Sequence, residues 1–141
     1  MQLRRATAED APAVAVLFRR VRLTCLPYLP TLHTPEEDRA FFGRVIGEER
    51  VWLAEDASLV GFAASTPSWL NHLYVDPGWH GAGAGDALLD AVAPAGELRL
   101  WCFQRNARAR RFYERRGFTL ERLTDGLGNE EREPDVLYVR R

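Results

Sequence analysis

The amino-acid sequence predicts a single domain of mixed α/β class, in which one layer of β-sheet carries helices on its faces. The 141 residues suit one domain and are too few for two ordinary ones. Apolar residues recur with the period of a helix in four segments and with that of a strand in seven. These segments follow one another as β-α-α-β-β-β-α-β-α-β-β, without an internal repeat or linker, so the predicted domain spans residues 1–141.

The first third of the chain predicts a short strand followed by two helices. Residues 2–5 form the strand. Thr7 and the acidic residues after it are typical of a helix start, and apolar side chains at helical spacing extend this helix over about 9–22. An irregular, proline-containing loop follows. Thr34 is then a second N-cap, with Pro at the first helical position, and its helix ends at Gly47.

The middle third predicts three strands and then a helix. Residues 51–54 and 59–65 are two strands around a polar turn, and residues 69–75 form a third strand that Asp-Pro-Gly ends. Helical spacing returns after a cluster of glycines, over residues 84–92. Pro94 and the glycine two residues later stop this helix.

The last third predicts one more helix between strands. An apolar strand over residues 98–103 leads into a helix over 105–116, which Gly117 ends in the C-cap position. Residues 118–122 form the next strand. A polar, glycine-containing loop then leads to the last strand, over residues 136–139.

The composition excludes several classes of function. All 19 basic residues are Arg, so neither a Schiff-base lysine nor the lysine of a Walker-type phosphate loop is available. The formal net charge of −1 favours neither nucleic acid nor an anionic membrane. No apolar run approaches the roughly 18 residues of a membrane helix, and the N-terminus lacks a secretory signal, so we expect a cytoplasmic protein. Cys25 and Cys102 lie in apolar runs without metal-ligand spacing, so we expect buried free thiols and no metal site.

The most informative segment joins the strand at 69–75 to the helix at 84–92. It contains Gly-Trp-His-Gly-Ala-Gly-Ala-Gly, over residues 78–85. Glycine permits a positive φ and lets a ligand approach the backbone, and the N–H groups at a helix N-terminus bind phosphate. The segment therefore predicts a cradle for a pyrophosphate, with a flexible turn of small residues as the alternative. The Rossmann glycine pattern does not fit it, and the Walker motif needs the lysine that the chain lacks.

A second constellation lies on the predicted helix at 105–116. Phe112 is expected to pack this helix onto the sheet, and Tyr113, one step round, to bury its ring and leave its hydroxyl in a cleft. A structural aromatic residue with a solvated tip is the alternative. Six arginines crowd the same segment and raise a nucleic-acid hypothesis. Because they point in several directions, a solvated face with one or two arginines near a ligand phosphate is favoured.

The two segments together resemble the GNAT superfamily of acyl-CoA-dependent N-acyltransferases. The family's glycine motif, Arg/Gln-x-x-Gly-x-Gly/Ala, follows a strand that ends in a hydrophobic-Val-x-Pro pattern. The matching residues here are Leu73-Tyr74-Val75-Asp76-Pro77 and then His80-Gly81-Ala82-Gly83-Ala84-Gly85. The family's second motif is matched by Asn106, Ala109, Tyr113, Gly117 and Phe118. The order of elements agrees along nearly the whole chain, and the departure that matters is His80, where the family has Arg or Gln.

The resemblance implies a mixed, mostly antiparallel sheet of about seven strands flanked by about four helices. It also implies an enzyme, an N-acetyltransferase that moves an acetyl group from acetyl-CoA to a primary amine of a small molecule or peptide, by direct attack in a ternary complex. A non-catalytic acyl-CoA-binding regulatory module is the alternative, and a homodimer is compatible with either. The coenzyme-binding residues that the resemblance implies are Leu73, Tyr74, Val75, His80, Gly81, Ala82, Gly83, Ala84, Gly85, Asp86 and Asn106.

The resemblance also implies roles in the chemistry. An N–H group of Leu73 or Val75 would polarise the thioester carbonyl, and Tyr113 would protonate the departing thiolate. An amine must lose a proton before it attacks, and His72 is the best candidate for the general base because it lies on the strand beside the expected thioester. A strand histidine that faces a helix or solvent is an equal alternative. Further candidates for the base are His33, Glu130 and Glu131.

The sequence does not determine which residues form the acceptor pocket. Aromatic residues that could line it are Tyr28, Phe42, Trp69 and Trp79, although each is more typical of packing. Acidic residues that could attract a cationic amine are Asp125, Glu130, Glu131, Glu133 and Asp135. A solvated acidic loop explains these five equally well.

Overall fold

The computed structural model describes residues 1–93 and 96–141. Its strands are β1 (Gln2–Arg5), β2 (Arg50–Glu55), β3 (Leu59–Thr66), β4 (Trp69–Val75), β5 (Leu98–Phe103), β6 (Thr119–Leu123) and β7 (Asp135–Arg140). Its α-helices are α1 (Ala11–Cys25), α2 (Pro35–Glu48), α3 (Ala84–Val92) and α4 (Ala107–Arg115). The strands form a seven-stranded sheet in the order β1-β2-β3-β4-β5-β7-β6. The pair β4–β5 is parallel, and the pairs β1–β2, β2–β3, β5–β7 and β6–β7 are antiparallel, which confirms the predicted fold class.

Most elements begin and end where the sequence predicts. The bounds of β1, β4, α3 and β5 agree with the prediction to the residue. The predicted helix at 9–22 is displaced, because a short 3-10 turn, Ala8–Asp10, precedes α1 and α1 continues to Cys25. The expected interruption at Pro94 lies outside the described residues. Among the residues that the structure does describe, no helix has the length and apolarity to cross a bilayer.

The chain divides into two compact units, and the first comprises Met1–Thr66 and Leu70–Ala93. Its core has β3 at the centre, buried along residues 60–65 because helices cover both of its faces. Phe62 points towards Phe42 of α2, with ring centroids 5.4 Å apart, while Gly61 points towards α3. Alternate residues of a strand face opposite sides, so helix α3 can approach β3 closely where Gly61 has no side chain.

The second unit comprises Pro67–Trp69 and Pro94–Arg141. Here β7 lies between β5 and β6, and Trp69 pairs with Arg99 at the start of β5. The side chain of Tyr138 on β7 is fully buried. That all 141 residues act as a single domain stays a prediction.

Helix α4 ends as its sequence predicts. Gly117 has a φ of +90°, a backbone conformation that favours glycine. The Gly117 N–H donates to the Glu114 carbonyl oxygen at 3.2 Å, and the Phe118 N–H donates to the Tyr113 carbonyl oxygen at 3.0 Å. These two bonds form the motif in which a left-handed residue satisfies the last carbonyl groups of a helix.

We expect Gly61→Ala to destabilise the protein. A Cβ atom at this position would lie 2.8 Å from the Tyr74 carbonyl oxygen and 3.1 Å from Cδ1 of Leu88. Because the nearest atom is backbone, β4 must shift, and overpacking of this kind costs about 1–3 kcal/mol of unfolding free energy. Urea denaturation followed by circular dichroism measures the loss.

Gly43→Ala is the matched control for this substitution. Gly43 lies in α2, and a Cβ atom there would meet nothing within 4 Å. Alanine is the better helix former by about 1 kcal/mol, so the control should keep or raise the stability. A Gly61→Ala protein as stable as the Gly43→Ala protein would contradict the close approach of β4 and α3 to Gly61.

Candidate active site

The end of β4 presents main-chain groups on the edge that faces away from β3. The Asp76 N–H donates to the Val60 carbonyl oxygen of β3 at 2.8 Å. Main-chain groups of successive residues in a strand point to alternate edges, so those of Leu73 and Val75 point away from β3. An extended ligand on that edge can pair with them as an added strand would.

Asp76 also holds the turn that follows β4. Its Oδ1 accepts a hydrogen bond from the Gly78 N–H at 2.9 Å, at the start of a 3-10 turn, Pro77–Trp79. Its Oδ2 pairs with the Arg20 guanidinium of α1 at 3.0 Å. The carboxylate is shielded from solvent, with 13% of the side chain exposed, and it links this turn to α1.

Two glycines shape the segment between that turn and α3. Gly81 has a φ of +81° and Gly83, the N-cap of α3, a φ of +89°. A Cβ atom at either glycine would meet nothing within 4 Å, so the surface above them is open. The first turn of a helix has N–H groups without an intrahelical partner, and the helix dipole is positive there. The junction therefore has the arrangement that binds a phosphate.

The ring of His80 lies against the end of β4. Its Nε2 is 3.2 Å from the Val75 carbonyl oxygen, a hydrogen bond that requires the ring proton on Nε2. The ring is half-buried. His80 thus connects the glycine segment to the edge of β4 that faces away from β3.

His72 is enclosed by aromatic side chains from three elements. The centroid of its ring lies 6.4 Å from that of Phe18 on α1, 5.7 Å and 5.3 Å from those of Phe41 and Phe42 on α2, and 6.2 Å from that of Tyr74 on β4. This burial, together with the nearby positive charge of Arg22, lowers the pKa of His72 to about 4. The imidazole is therefore neutral near pH 7. It faces helices, and it is a weak proton acceptor.

Asn106 and Tyr113 belong to the second unit. The Asn106 Oδ1 accepts a hydrogen bond from the Ala109 N–H at 3.3 Å, which makes Asn106 the N-cap of α4. Tyr113, rather than Phe112, is the residue that α4 buries, with 7% of its surface exposed. Its ring lies 5.5 Å from that of Phe118 and 6.3 Å from that of Tyr138. The expectation that Phe112 packs the helix is wrong. Phe112 is only half-buried, and the face of α4 that carries Tyr113 packs against the rings of Phe118 and Tyr138.

A polar network that the sequence did not reveal joins α4 to β7. The buried Tyr138 hydroxyl accepts a hydrogen bond from Nε of Arg110 at 3.0 Å and donates one to Oε2 of Glu114 at 2.6 Å. Burial and the carboxylate of Glu114 raise the pKa of Tyr138. Arg110 and Glu114 are four residues apart, and this spacing places both on one helix face. The spacing is the sequence feature from which this network could have been predicted.

A cleft of about 500 Å³ lies in the second unit, between β5 and the loop that precedes β7. Residues that line it include Trp101, Phe103, Arg122, Thr124, Glu131 and Asp135. None of the four aromatic residues suggested for an acceptor pocket lines this cleft, and Phe42 is a fully buried core residue. Sequence reasoning missed Trp101 and Phe103, which alternate on β5 and so share one face.

The acidic residues of the loop before β7 have different surroundings. Glu133 forms two hydrogen bonds of 2.7 Å with Arg105, which lower its pKa. Asp135 accepts from the Thr124 hydroxyl and from Nδ2 of Asn129. Of the five suggested acids, Glu131 and Asp135 line the cleft. Within the described part of the chain, no group of three potential metal ligands occurs.

Comparisons with known proteins agree with this geometry. The family model of the Acetyltransferase (GNAT) domain matches residues 47–120 of this chain. Uncharacterized N-acetyltransferases of Mycobacterium bovis and Mycobacterium tuberculosis are 33% identical over an alignment of 104 residues, and the match covers 70% of this chain. The chain spans 61% of the length of these relatives.

Solved structures share the fold. A GCN5-related N-acetyltransferase from Rhodopseudomonas palustris superposes with a TM-score of 0.79 at 21% identity, over 99% of this chain and 94% of its own. A phosphinothricin acetyltransferase from Sinorhizobium meliloti, solved in complex with AcCoA, gives a TM-score of 0.77 at 19% identity, over 99% and 86%. The matched domain and the mycobacterial relatives show that this chain belongs to the GNAT acetyltransferase family.

Proposed function

We propose that the protein transfers an acetyl group from acetyl-CoA to a primary amine of a small molecule or peptide, by direct attack in a ternary complex. The observation that carries the proposal is the junction of β4 and α3. There, main-chain groups of Leu73 and Val75 face away from β3, and a glycine with positive φ begins a helix over open surface. The acetyl-CoA complex of the Sinorhizobium meliloti relative supports the choice of coenzyme.

In this proposal the junction binds the coenzyme through main-chain groups. The pantetheine arm pairs with Leu73 and Val75 as an added strand. The diphosphate accepts hydrogen bonds from N–H groups at the start of α3. The other residues that we propose contact the coenzyme are Tyr74, His80, Gly81, Ala82, Gly83, Ala84, Gly85, Asp86 and Asn106.

The proposed reaction forms a C–N bond and breaks a C–S bond. The amine nitrogen attacks the thioester carbon, and an N–H group of Leu73 or Val75 stabilises the oxyanion of the tetrahedral adduct. The adduct expels the thiolate, and the Tyr113 hydroxyl protonates the sulfur. The proton lost by the nitrogen goes to His72.

The low pKa of His72 defines when it can act in this scheme. An imidazole with a pKa of about 4 is a poor acceptor for a proton from a free alkylammonium ion. The nitrogen becomes more acidic once it has attacked the carbonyl, so His72 takes the proton from the tetrahedral adduct. The other candidate bases, His33, Glu130 and Glu131, stay proposals, as do the cytoplasmic location and a homodimer.

Gly83→Ala is expected to weaken acetyl-CoA binding about tenfold or more. An alanine at a φ of +89° is strained by about 1–2 kcal/mol, and its methyl group would occupy the open surface proposed for the diphosphate. Titration calorimetry with acetyl-CoA measures the affinity. Gly47→Ala, at a helical glycine that also has open surroundings, should bind like the wild type. Equal affinity in both variants would remove the glycine segment from the coenzyme site.

Tyr113→Phe is expected to reduce turnover about 100-fold while the Kd for acetyl-CoA changes less than about twofold, as for loss of a general acid. The substitution keeps the ring that packs against Phe118 and Tyr138, so the fold should persist. Release of free thiol in the presence of an amine panel measures turnover. A wild-type protein that binds acetyl-CoA but acetylates no amine would favour the non-catalytic regulatory module instead.

His72→Phe is expected to lower turnover by a similar factor at all pH values well above the pKa of His72, about 4, because the acceptor for the proton of the tetrahedral adduct is lost at each of them. Phenylalanine keeps an aromatic ring among Phe18, Phe41 and Phe42, so packing is retained while the proton acceptor is lost. Because the wild-type pKa is about 4, the wild-type pH–rate profile should show no inflection near 6.5. Rates that the substitution leaves unaltered at every pH would exclude His72 from the mechanism.

A further inference from the structure

The cleft of the second unit has a prearranged wall. The Thr124 N–H donates to the Asp135 carbonyl oxygen at 3.0 Å, and Nε2 of Gln104 donates to the Thr124 carbonyl oxygen at 2.9 Å. Nδ2 of Asn129 donates to the Glu133 carbonyl oxygen at 2.8 Å. The loop before β7 is thus held by its own side chains and by Gln104, the residue that follows β5, which reduces the entropy lost when a ligand binds.

The charges in the cleft favour a cation. Asp135 and Glu131 contribute two carboxylates, and Arg122 contributes one guanidinium. Only 9% of Asp135 is exposed, and its two oxygens each accept one hydrogen bond, so lone pairs remain for a further donor. The guanidinium of Arg122 lies over the ring of Trp101, 5.4 Å from the centroid, where it is engaged by the indole.

The remaining wall of the cleft is aromatic. Trp101 is 43% exposed, and Phe103 lies two residues further along β5. Such rings bury the apolar body of a ligand. A cleft of about 500 Å³ falls in the size range that holds a small organic molecule.

We propose that this cleft binds an organic ammonium ion, with the charged nitrogen at Glu131 and Asp135 and an apolar or aromatic body against Trp101 and Phe103. The identification of this cation with the acetyl acceptor rests on the proposed function. The acceptor class is then an amine with a bulky apolar substituent. Binding at the cleft itself requires neither acetyl-CoA nor turnover.

The test measures binding of four probes to the full chain by titration calorimetry at pH 7 without acetyl-CoA. The probes are 2-phenylethylamine, 2-phenylethanol, ethylamine and phenylacetate. We expect 2-phenylethylamine to bind at least about tenfold more tightly than each of the others, which lack the charge, the ring or the positive sign. Equal binding of 2-phenylethanol or phenylacetate, or no binding of any probe, would overturn the proposal.

Two substitutions assign the binding to the cleft. Glu131→Gln should weaken binding of 2-phenylethylamine about fivefold, as for loss of one partly exposed ion pair. Glu130→Gln removes the same charge one residue away, outside the cleft, and should change the affinity less than about twofold. Trp101→Leu should weaken 2-phenylethylamine about fivefold, because its ring loses the contact with the indole, and should leave ethylamine, which has no ring, unchanged. Equal effects of Glu131→Gln and Glu130→Gln would place the cation elsewhere.

These outcomes are separate from those of the proposed function. Acetyl-CoA binding with no amine binding would overturn the cleft assignment and leave the acetyltransferase proposal intact. Amine binding with no acetyl-CoA binding would do the reverse. Because Trp101 is exposed and Glu131 half-buried, neither substitution removes a core residue, and circular dichroism of each variant checks the fold.

Discussion

The hydrogen bond from the Asp76 N–H to the Val60 carbonyl oxygen sets the direction of the main-chain groups at the end of β4. Since those groups alternate, Leu73 and Val75 face the edge opposite β3. The carboxylate of Asp76 holds the following turn and pairs with Arg20 of α1. One residue therefore positions a strand end, a turn and the approach to α3, and the proposed coenzyme site needs all three.

Local features explain why this region could be predicted from the sequence. The bounds of β4 and α3 follow from apolar periodicity and from the glycines between them, and Gly83 has the positive φ that only glycine adopts readily. The surroundings of His72 could not be predicted, because Phe18 and Phe41 come from α1 and α2. Sequence periodicity places a residue on a face, but the packing of separate elements decides what that face meets.

The arginine-rich segment around α4 illustrates the same limit for charge. The sequence suggested a solvated face with one or two arginines near a phosphate. The structure instead joins Arg110 to the buried Tyr138 hydroxyl and Arg105 to Glu133. Because Glu114 accepts from the same hydroxyl, the network holds α4 from two positions that flank Tyr113. The number of arginines in this segment can be counted in the sequence. The partners of Arg110 and Arg105, however, come from β7 and from the loop before it.

The enclosure of His72 by aromatic rings affects the proposed chemistry in two opposite ways. Burial disfavours the charged imidazolium, so the ring is neutral and able to accept a proton throughout the neutral range. The same burial weakens it as a base, so it cannot hold a large fraction of free substrate amine in the neutral form. A base of this strength acts best late, on a nitrogen already made acidic by its bond to the carbonyl carbon. In the proposed mechanism the substrate amine must therefore reach the thioester unprotonated, and the pKa of the bound amine decides how often attack occurs.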